Sequence, residues 1–338
     1  MTAWRLAKAW RHAERSAMAE LVDASANLNL EDPLLWETVR ASLRYIRDTA
    51  QISRGDGDLL DPLIFTAILD ANMAPVNRDA ELQVIYGGDI SAPDHLRRPV
   101  SINAVAQSLR LPFETVRRRV SGMAKRGACI QDPRGVIVPN AAVMSPAYVA
   151  IQRARYDRAR RFYQVLKEIG ALPSDGTADP SAPTAQPLVR AANRALSAYM
   201  LRASSDLIAL TGDALSSLIL LELTLANTEA VATPDLPAWG ADPAGGLATP
   251  VRIARLSKSL RFSPETTRRH LLALERAGFC RRTTRGLVAV APPAAWPELA
   301  RLAAANLANL HRLFAALRQL DVLAAWDTPD AIWPAAVA

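Results

Sequence analysis

Cysteine is almost missing from the 338-residue chain: Cys129 and Cys280 are the only two, too few for a secreted disulfide scaffold. Lysine is nearly as scarce, with Lys8, Lys125, Lys167 and Lys258 making the whole set, so the basic charge is almost all arginine. No long apolar run is free of charge. The most apolar one, residues 207–225, carries Asp213 and Glu222, which are costly at membrane depth, and it reads as a buried helix. The N-terminus, "MTAWRLAKAWRHAERSAMAEL", lacks the uncharged apolar core of a secretion signal, so a cytoplasmic place is expected. His12, His95, His270 and His311 show no metal-ligand spacing. With no glycine-rich phosphate loop, nucleophile triad or paired carboxylates either, the sequence predicts neither an enzyme nor a cofactor.

What is present is apolar bulk and positive charge. Half the residues are hydrophobic and the net charge is +7, which allows an acidic polymer or an anionic membrane surface as partner without choosing between them. The distribution of that charge follows a repeat. Residues 99–139, "PVSINAVAQSLRLPFETVRRRVSGMAKRGACIQDPRGVIVP", lie without a gap over residues 250–290, "PVRIARLSKSLRFSPETTRRHLLALERAGFCRRTTRGLVAV". Fourteen of the 41 positions are identical, enough to seek one architecture for both. The same offset carries Tyr148, Ile151, Phe162, Tyr163, Leu166 and Ile169 onto Leu299, Leu302, Leu313, Phe314, Leu317 and Leu320, at the steps of a helix burying one stripe. With an offset four residues larger, "GDLLDPLIFTAILDAN" lies over "GDALSSLILLELTLAN".

Each copy predicts helix, turn, helix and hairpin. Ser101 caps a helix facing inward with Ile102, Val105 and Leu109; after a turn, a second helix from Phe113 buries Val116, Val120 and Met123 until Gly127. In the second copy Leu256 and Leu260 serve the first helix. Ser263 caps the next, Pro264 opens it, Thr267, Leu271 and Leu274 are buried, and Gly278 ends it. Pro112 replaces the capping serine in the first copy, which predicts a different helix start. "CIQDPRGVIV" and "CRRTTRGLVAV" predict strand, turn, strand. The stretches "SINAVAQSLRLPFETVRRRVSGMAKRGACI" and "RIARLSKSLRFSPETTRRHLLALERAGFC" resemble the winged helix-turn-helix domains of bacterial transcription regulators of the MarR, GntR and IclR-like type, over roughly 40 residues per copy.

Placing the apolar stripe inward puts Glu114, Thr115, Arg117 and Arg118, and likewise Glu265, Thr266, Arg268 and Arg269, toward the exposed start of the second helix. In a recognition helix that part enters the major groove, where arginine binds guanine through two hydrogen bonds and glutamate accepts from cytosine. His270 follows the arginine pair as a further contact, and Arg134, Arg281, Arg282 and Arg285 lie on the hairpins. Residues 99–139 hold seven Lys/Arg against two Asp/Glu, and residues 250–290 hold ten against two. That +13 exceeds the chain's total of +7, so the remainder is net acidic and the positive charge is concentrated where a nucleic acid would sit.

The sequence therefore predicts a mainly α protein with small β-hairpin wings, made of two tandem winged-helix units from an internal duplication. The predicted divisions are a helical extension at 1–33 packing through Trp4, Leu6, Trp10 and Leu21, a first unit at 34–172, a linker at 173–187, a second unit at 188–325 and a tail at 326–338. "LQVIY" is a candidate short strand. Cys129 and Cys280 are expected in the core. The helix around residues 151–169 is expected to pack Tyr156, Phe162 and Leu166 and to leave Arg153, Arg158 and Arg160 in water. The expected partner is double-stranded DNA with two non-identical half-sites, in the nucleoid and not at a membrane, with further self-association through the long apolar helices. A plasmid-type replication initiator and a protein-binding adaptor remain as alternatives.

Overall fold

The computed structural model describes residues 28–55, 57–172, 188–241 and 246–327; the predicted extension up to residue 27, the linker 173–187 and the tail beyond 327 lie outside them. The described chain is mainly helical, with two small antiparallel hairpins. Its principal helices are α1 (Pro33–Ser53), α2 (Leu60–Asn72), α3 (Ile102–Ser108), α4 (Phe113–Lys125), α5 (Pro146–Glu168), α6 (Val189–Thr211), α7 (Ala214–Thr228), α8 (Ile253–Leu260), α9 (Pro264–Arg276), α10 (Trp296–Gln319) and α11 (Val322–Asp327). The hairpins are β1 (Ile130–Asp132) with β2 (Gly135–Ile137), and β3 (Cys280–Thr283) with β4 (Gly286–Ala289).

Three cores result. The first head packs α2, α3, α4 and its hairpin around Ile64, Ile68, Val105, Val116, Val120 and Val136. The second packs α7, α8, α9 and its hairpin around Ile219, Leu223, Leu256, Leu271, Leu274 and Leu287. Between them a central core takes Tyr45 from α1, Phe162 and Leu166 from α5, Leu196 and Tyr199 from α6, and Leu313, Phe314 and Leu317 from α10. The Tyr45 and Phe162 rings stack at 4.5 Å, while Tyr163 meets Phe314 at 5.5 Å; such pairs add roughly 1 kcal/mol each beyond the area they bury.

The halves interlock. Helix α1 packs on α7 of the other half, and α6 packs reciprocally on α2. Buried Arg40 of α1 donates to the carbonyls of Thr228 (3.0 Å) and Val231 (2.6 Å) at the end of α7, and Arg54 donates to the Ser259 carbonyl at 2.7 Å. Of the apolar stripes of 148–169 and 299–320, Phe162, Tyr163, Leu166, Leu313, Phe314 and Leu317 are buried within the chain, while Tyr148, Ile151, Ile169, Leu299, Leu302 and Leu320 are partly buried.

Several local expectations change. "LQVIY" falls mostly in a short helix, Ala80–Ile85, because the Asp79 carboxylate accepts from the Glu81 and Leu82 amides and caps it. The run 207–225 is not one helix: Gly212 (φ +90°) ends α6, Asp213 caps α7, and the two meet at 97°. Arg158 is not in water; it pairs with Asp48 at 2.9 Å and lies over the Tyr45 ring. The predicted tail starts too early, since Trp326 is buried in the central core and Asp327 closes α11, accepting from the Tyr163 hydroxyl at 2.9 Å.

Candidate nucleic-acid interface

Each head has one serine-capped helix, the first of the pair in one head and the second in the other, the matching Arg252 and Pro112 making no side-chain cap. Ser101 and Ser263 accept from the amides of Ala104 and Thr266, both at 3.1 Å, and so start α3 and α9. Helix α4 starts at the position matching α9 although Pro112 has no side-chain cap. The proline ring imposes the entry geometry that the serine adopts, φ −56° against −60°, so the predicted difference in start does not occur. Arg110 and Arg261 occupy matching turn positions, both with positive φ (46° and 55°).

Behind each hairpin stands a fully buried asparagine at the end of a core helix. Asn72 donates to the carbonyls of Arg98 (2.7 Å) and Val136 (3.0 Å) and accepts from the Val138 amide at 2.8 Å. Asn227 donates to Thr249 (2.7 Å) and Leu287 (3.1 Å) and accepts from Ala289 at 2.7 Å. Each therefore ties a helix end, the strand-like residue before the helix pair and the second hairpin strand together. The repeated Ala-Asn at 71–72 and 226–227 is the sequence signal for this clamp. Gly135 and Gly286, at φ +138° and +147°, let Val100 and Val251 pair with the hairpins; a Cβ on Gly135 would stand 2.6 Å from the Val100 carbonyl oxygen.

On this frame Val116, Val120 and Met123, and Thr267, Leu271 and Leu274, face inward as expected. Arg117, Arg118, Arg268 and Arg269 are exposed. The carboxylates of Glu114 and Glu265 are engaged by the arginines one turn on, Arg117 (2.5 Å) and Arg268 (3.1 Å), and the Arg117 bonds hold the Glu114 carboxyl below its ordinary range. Thr115 is half-buried, and the half-buried Thr266 hydroxyl takes a hydrogen bond from Ser263 at 2.8 Å. No ion pair among the described residues engages Arg118 or Arg269, nor Lys125 and Arg276 at the far ends of the same helices; Arg118 and Arg269 are the ones near the helix starts.

The structure turns His270 away from any outer contact. Its Nδ1 lies 2.9 Å from the Ser216 hydroxyl and 3.5 Å from the Asp213 carboxylate, against the start of α7. The matching position in the first head is Arg119, which bridges Asp58 and Asp61 at 2.7 and 2.8 Å. Both residues brace the second helix of the head against a core helix. Burial would raise the Asp213 carboxyl, but hydrogen bonds from His270 and Ser216 outweigh it and bring it down to about 2. On the hairpins Arg134 pairs with Asp132 at 2.8 Å, Arg282 lies 3.7 Å from Glu275, and Arg281 and Arg285 are exposed.

No family model, curated protein or solved structure matches the chain. Among the described residues no single helix is long and apolar enough to cross a membrane, the bent pair α6–α7 passing only as a pair. No group of three or more His, Cys, Asp or Glu side chains among those residues could hold a metal ion. Cys129 and Cys280 are buried behind the heads, each thiol directed at the carbonyl nine residues earlier, and burial pushes both up to about 11.

Proposed function

We propose that the protein binds double-stranded DNA through two winged-helix heads held in one chain, reading two non-identical half-sites as a bacterial transcription regulator. The observation that carries this reading is the pair of helix, turn, helix and hairpin heads presenting Arg118 and Arg269 unpaired at matching positions. The matched clamps, turn conformations and reciprocal packing of α1 and α6 support an internal duplication arranged like a symmetric dimer. Charge supports it too, because the +13 of residues 99–139 and 250–290 would displace counterions from phosphates. Glu114 and Glu265, engaged by their own arginines, would set arginine orientation before touching any base.

Selection from a random duplex library, followed by affinity measurement on the selected sequence, tests the reading. Replacing Arg117 and Arg118, or Arg268 and Arg269, by alanine should weaken binding at one half-site each, by about 1–3 kcal/mol for every arginine that pairs with a guanine edge. Log affinity should fall with log salt by about 0.9 for each phosphate neutralised. A five-base-pair insertion between half-sites should abolish tight binding, because a rigid central core cannot follow a half-turn rotation. Phe113 and Ile130, both about half exposed on the first head, favour protein docking as a second reading. A salt-independent response and unchanged affinity in both double variants would establish that reading instead.

A further inference from the structure

An apolar cavity of about 180 Å³ lies between α1, α6, α7, α10 and the second hairpin. Leu220 and Leu299 form part of its wall, as do Trp36 and Trp296, whose rings meet edge to face at 6.1 Å. For scale, a dry pocket of about 150 Å³ lined by aliphatic and aromatic side chains accepts benzene. A void of this size is costly in a close-packed interior.

The first half treats the same place differently. Phe65 stands where the second half has Leu220, and Tyr148 where it has Leu299; their rings pack against each other at 5.6 Å. Two aromatic side chains thus occupy positions that two leucines leave open in the second half.

Most polar groups on the wall are already used. Trp36 donates to the Leu30 carbonyl at 2.7 Å, and Asn306 donates to Ser42 at 3.1 Å while accepting from the Tyr199 hydroxyl at 2.9 Å. Asp206 is the charged exception among them. Its carboxylate is half-buried, and the two cations that act on it are engaged elsewhere: Arg202 donates to Asn309, and Arg301 grips Glu298 at 2.6 and 2.9 Å. A half-buried carboxylate without a hydrogen-bond donor gains most from a cationic donor.

We propose that this cavity binds a small, single-ring, mostly apolar molecule carrying a protonated amine, with the ring against Leu220 and Leu299 and the amine on Asp206. Phe279 and Ala289 of the second head complete the wall, so occupancy reaches that head and not the first. The site rests on the cavity and its carboxylate, independently of what the heads bind.

Isothermal titration of the full chain with phenethylamine, 2-phenylethanol and 3-phenylpropionate tests this. Phenethylamine should bind one to one, at least tenfold tighter than the alcohol, with the acid weakest. Asp206→Asn should remove the amine's advantage while leaving the alcohol unchanged. Leu220→Phe combined with Leu299→Tyr, which installs the first half's residues, should abolish binding. Ala303→Leu, filling the cavity from α10, serves if that double variant does not fold. No saturable heat with millimolar phenethylamine, an alcohol binding as tightly as the amine, or binding unaltered by a folded filling variant would overturn the proposal.

Discussion

Replacing the fully buried Asn72 by alanine removes three hydrogen bonds, two of them buried and the one to Arg98 part-buried, and the cost can be worked out bond by bond. The Val136 carbonyl keeps a second donor, the Val100 amide at 3.2 Å, so removing Asn72 leaves it satisfied. The Arg98 carbonyl and the Val138 amide are each deprived of a partner, and Val138 is fully buried. At about 1 kcal/mol for each bond, with extra cost for the stranded amide, the expected destabilisation is about 3 kcal/mol. For a chain of this size that lowers Tm by roughly 4–5 °C. Asn72→Asp should cost at least as much, since it sets a carboxylate against two carbonyl oxygens. Asn227→Ala should match Asn72→Ala because the bonds correspond one to one. Urea unfolding gives the stability, and amide exchange at Val138 or Ala289 locates the change on the hairpin. A destabilisation below about 1 kcal/mol, or unaltered exchange protection at those amides, would refute the clamp as the element that seats the hairpins.

The other structural expectations are equally direct. Gly286→Ala should destabilise by at least about 2 kcal/mol in thermal unfolding, because φ +147° is strained for alanine and its Cβ would meet the Val251 backbone at 2.8 Å. Asp213, held at about 2 against an ordinary 3.8, contributes stability that is fully present above pH 4 and is lost as pH falls through 2. Solvent screening leaves this at about 1 kcal/mol, and the Asp213→Asn chain should lack that part of the acid profile. Both thiols, pushed up to about 11 by burial, should react with Ellman's reagent only as fast as the chain opens; rapid labelling of the native protein would contradict their placement.

Legibility follows the range of the forces involved. The helices of both heads are readable because their apolar stripes, caps and terminal glycines are local, and α4 and α9 lie where those signals put them. Residues 207–225 mislead because their hydropathy masks Gly212 and Asp213, a stop followed by a cap. Adjacency groups His270 with Arg269, whereas one residue is about 100° of turn and carries it round to Asp213 and Ser216. Arg158 departs from expectation for another reason: a charge can leave water when a carboxylate on another helix waits for it, and Asp48 lies 110 residues away. The crossing of α1 onto α7 has no local signature at all. It depends on side chains such as Arg40 finding carbonyls at residues 228 and 231.

The differences between the two heads fall on a particular class of positions. Residues that determine the backbone agree, as in Asn72 and Asn227, Gly135 and Gly286, Cys129 and Cys280. Residues of the first hairpin strand do not: Ile130, Gln131 and Asp132 stand where the second head has Arg281, Arg282 and Thr283. Arg134 is consequently neutralised by a neighbouring carboxylate at 2.8 Å, while Arg285 has a threonine hydroxyl near its amide instead. In a homodimer every such change would appear twice, since one sequence serves both subunits. Two heads encoded by different stretches of one chain are free of that constraint, so one hairpin can hold a mixed, partly apolar surface while the other gathers cations over a similar backbone. The same freedom explains the interior, where Phe65 and Tyr148 fill a space that Leu220 and Leu299 leave open. Asymmetry in charge and asymmetry in packing both favour the second half, which combines the more basic head with the open cavity behind it.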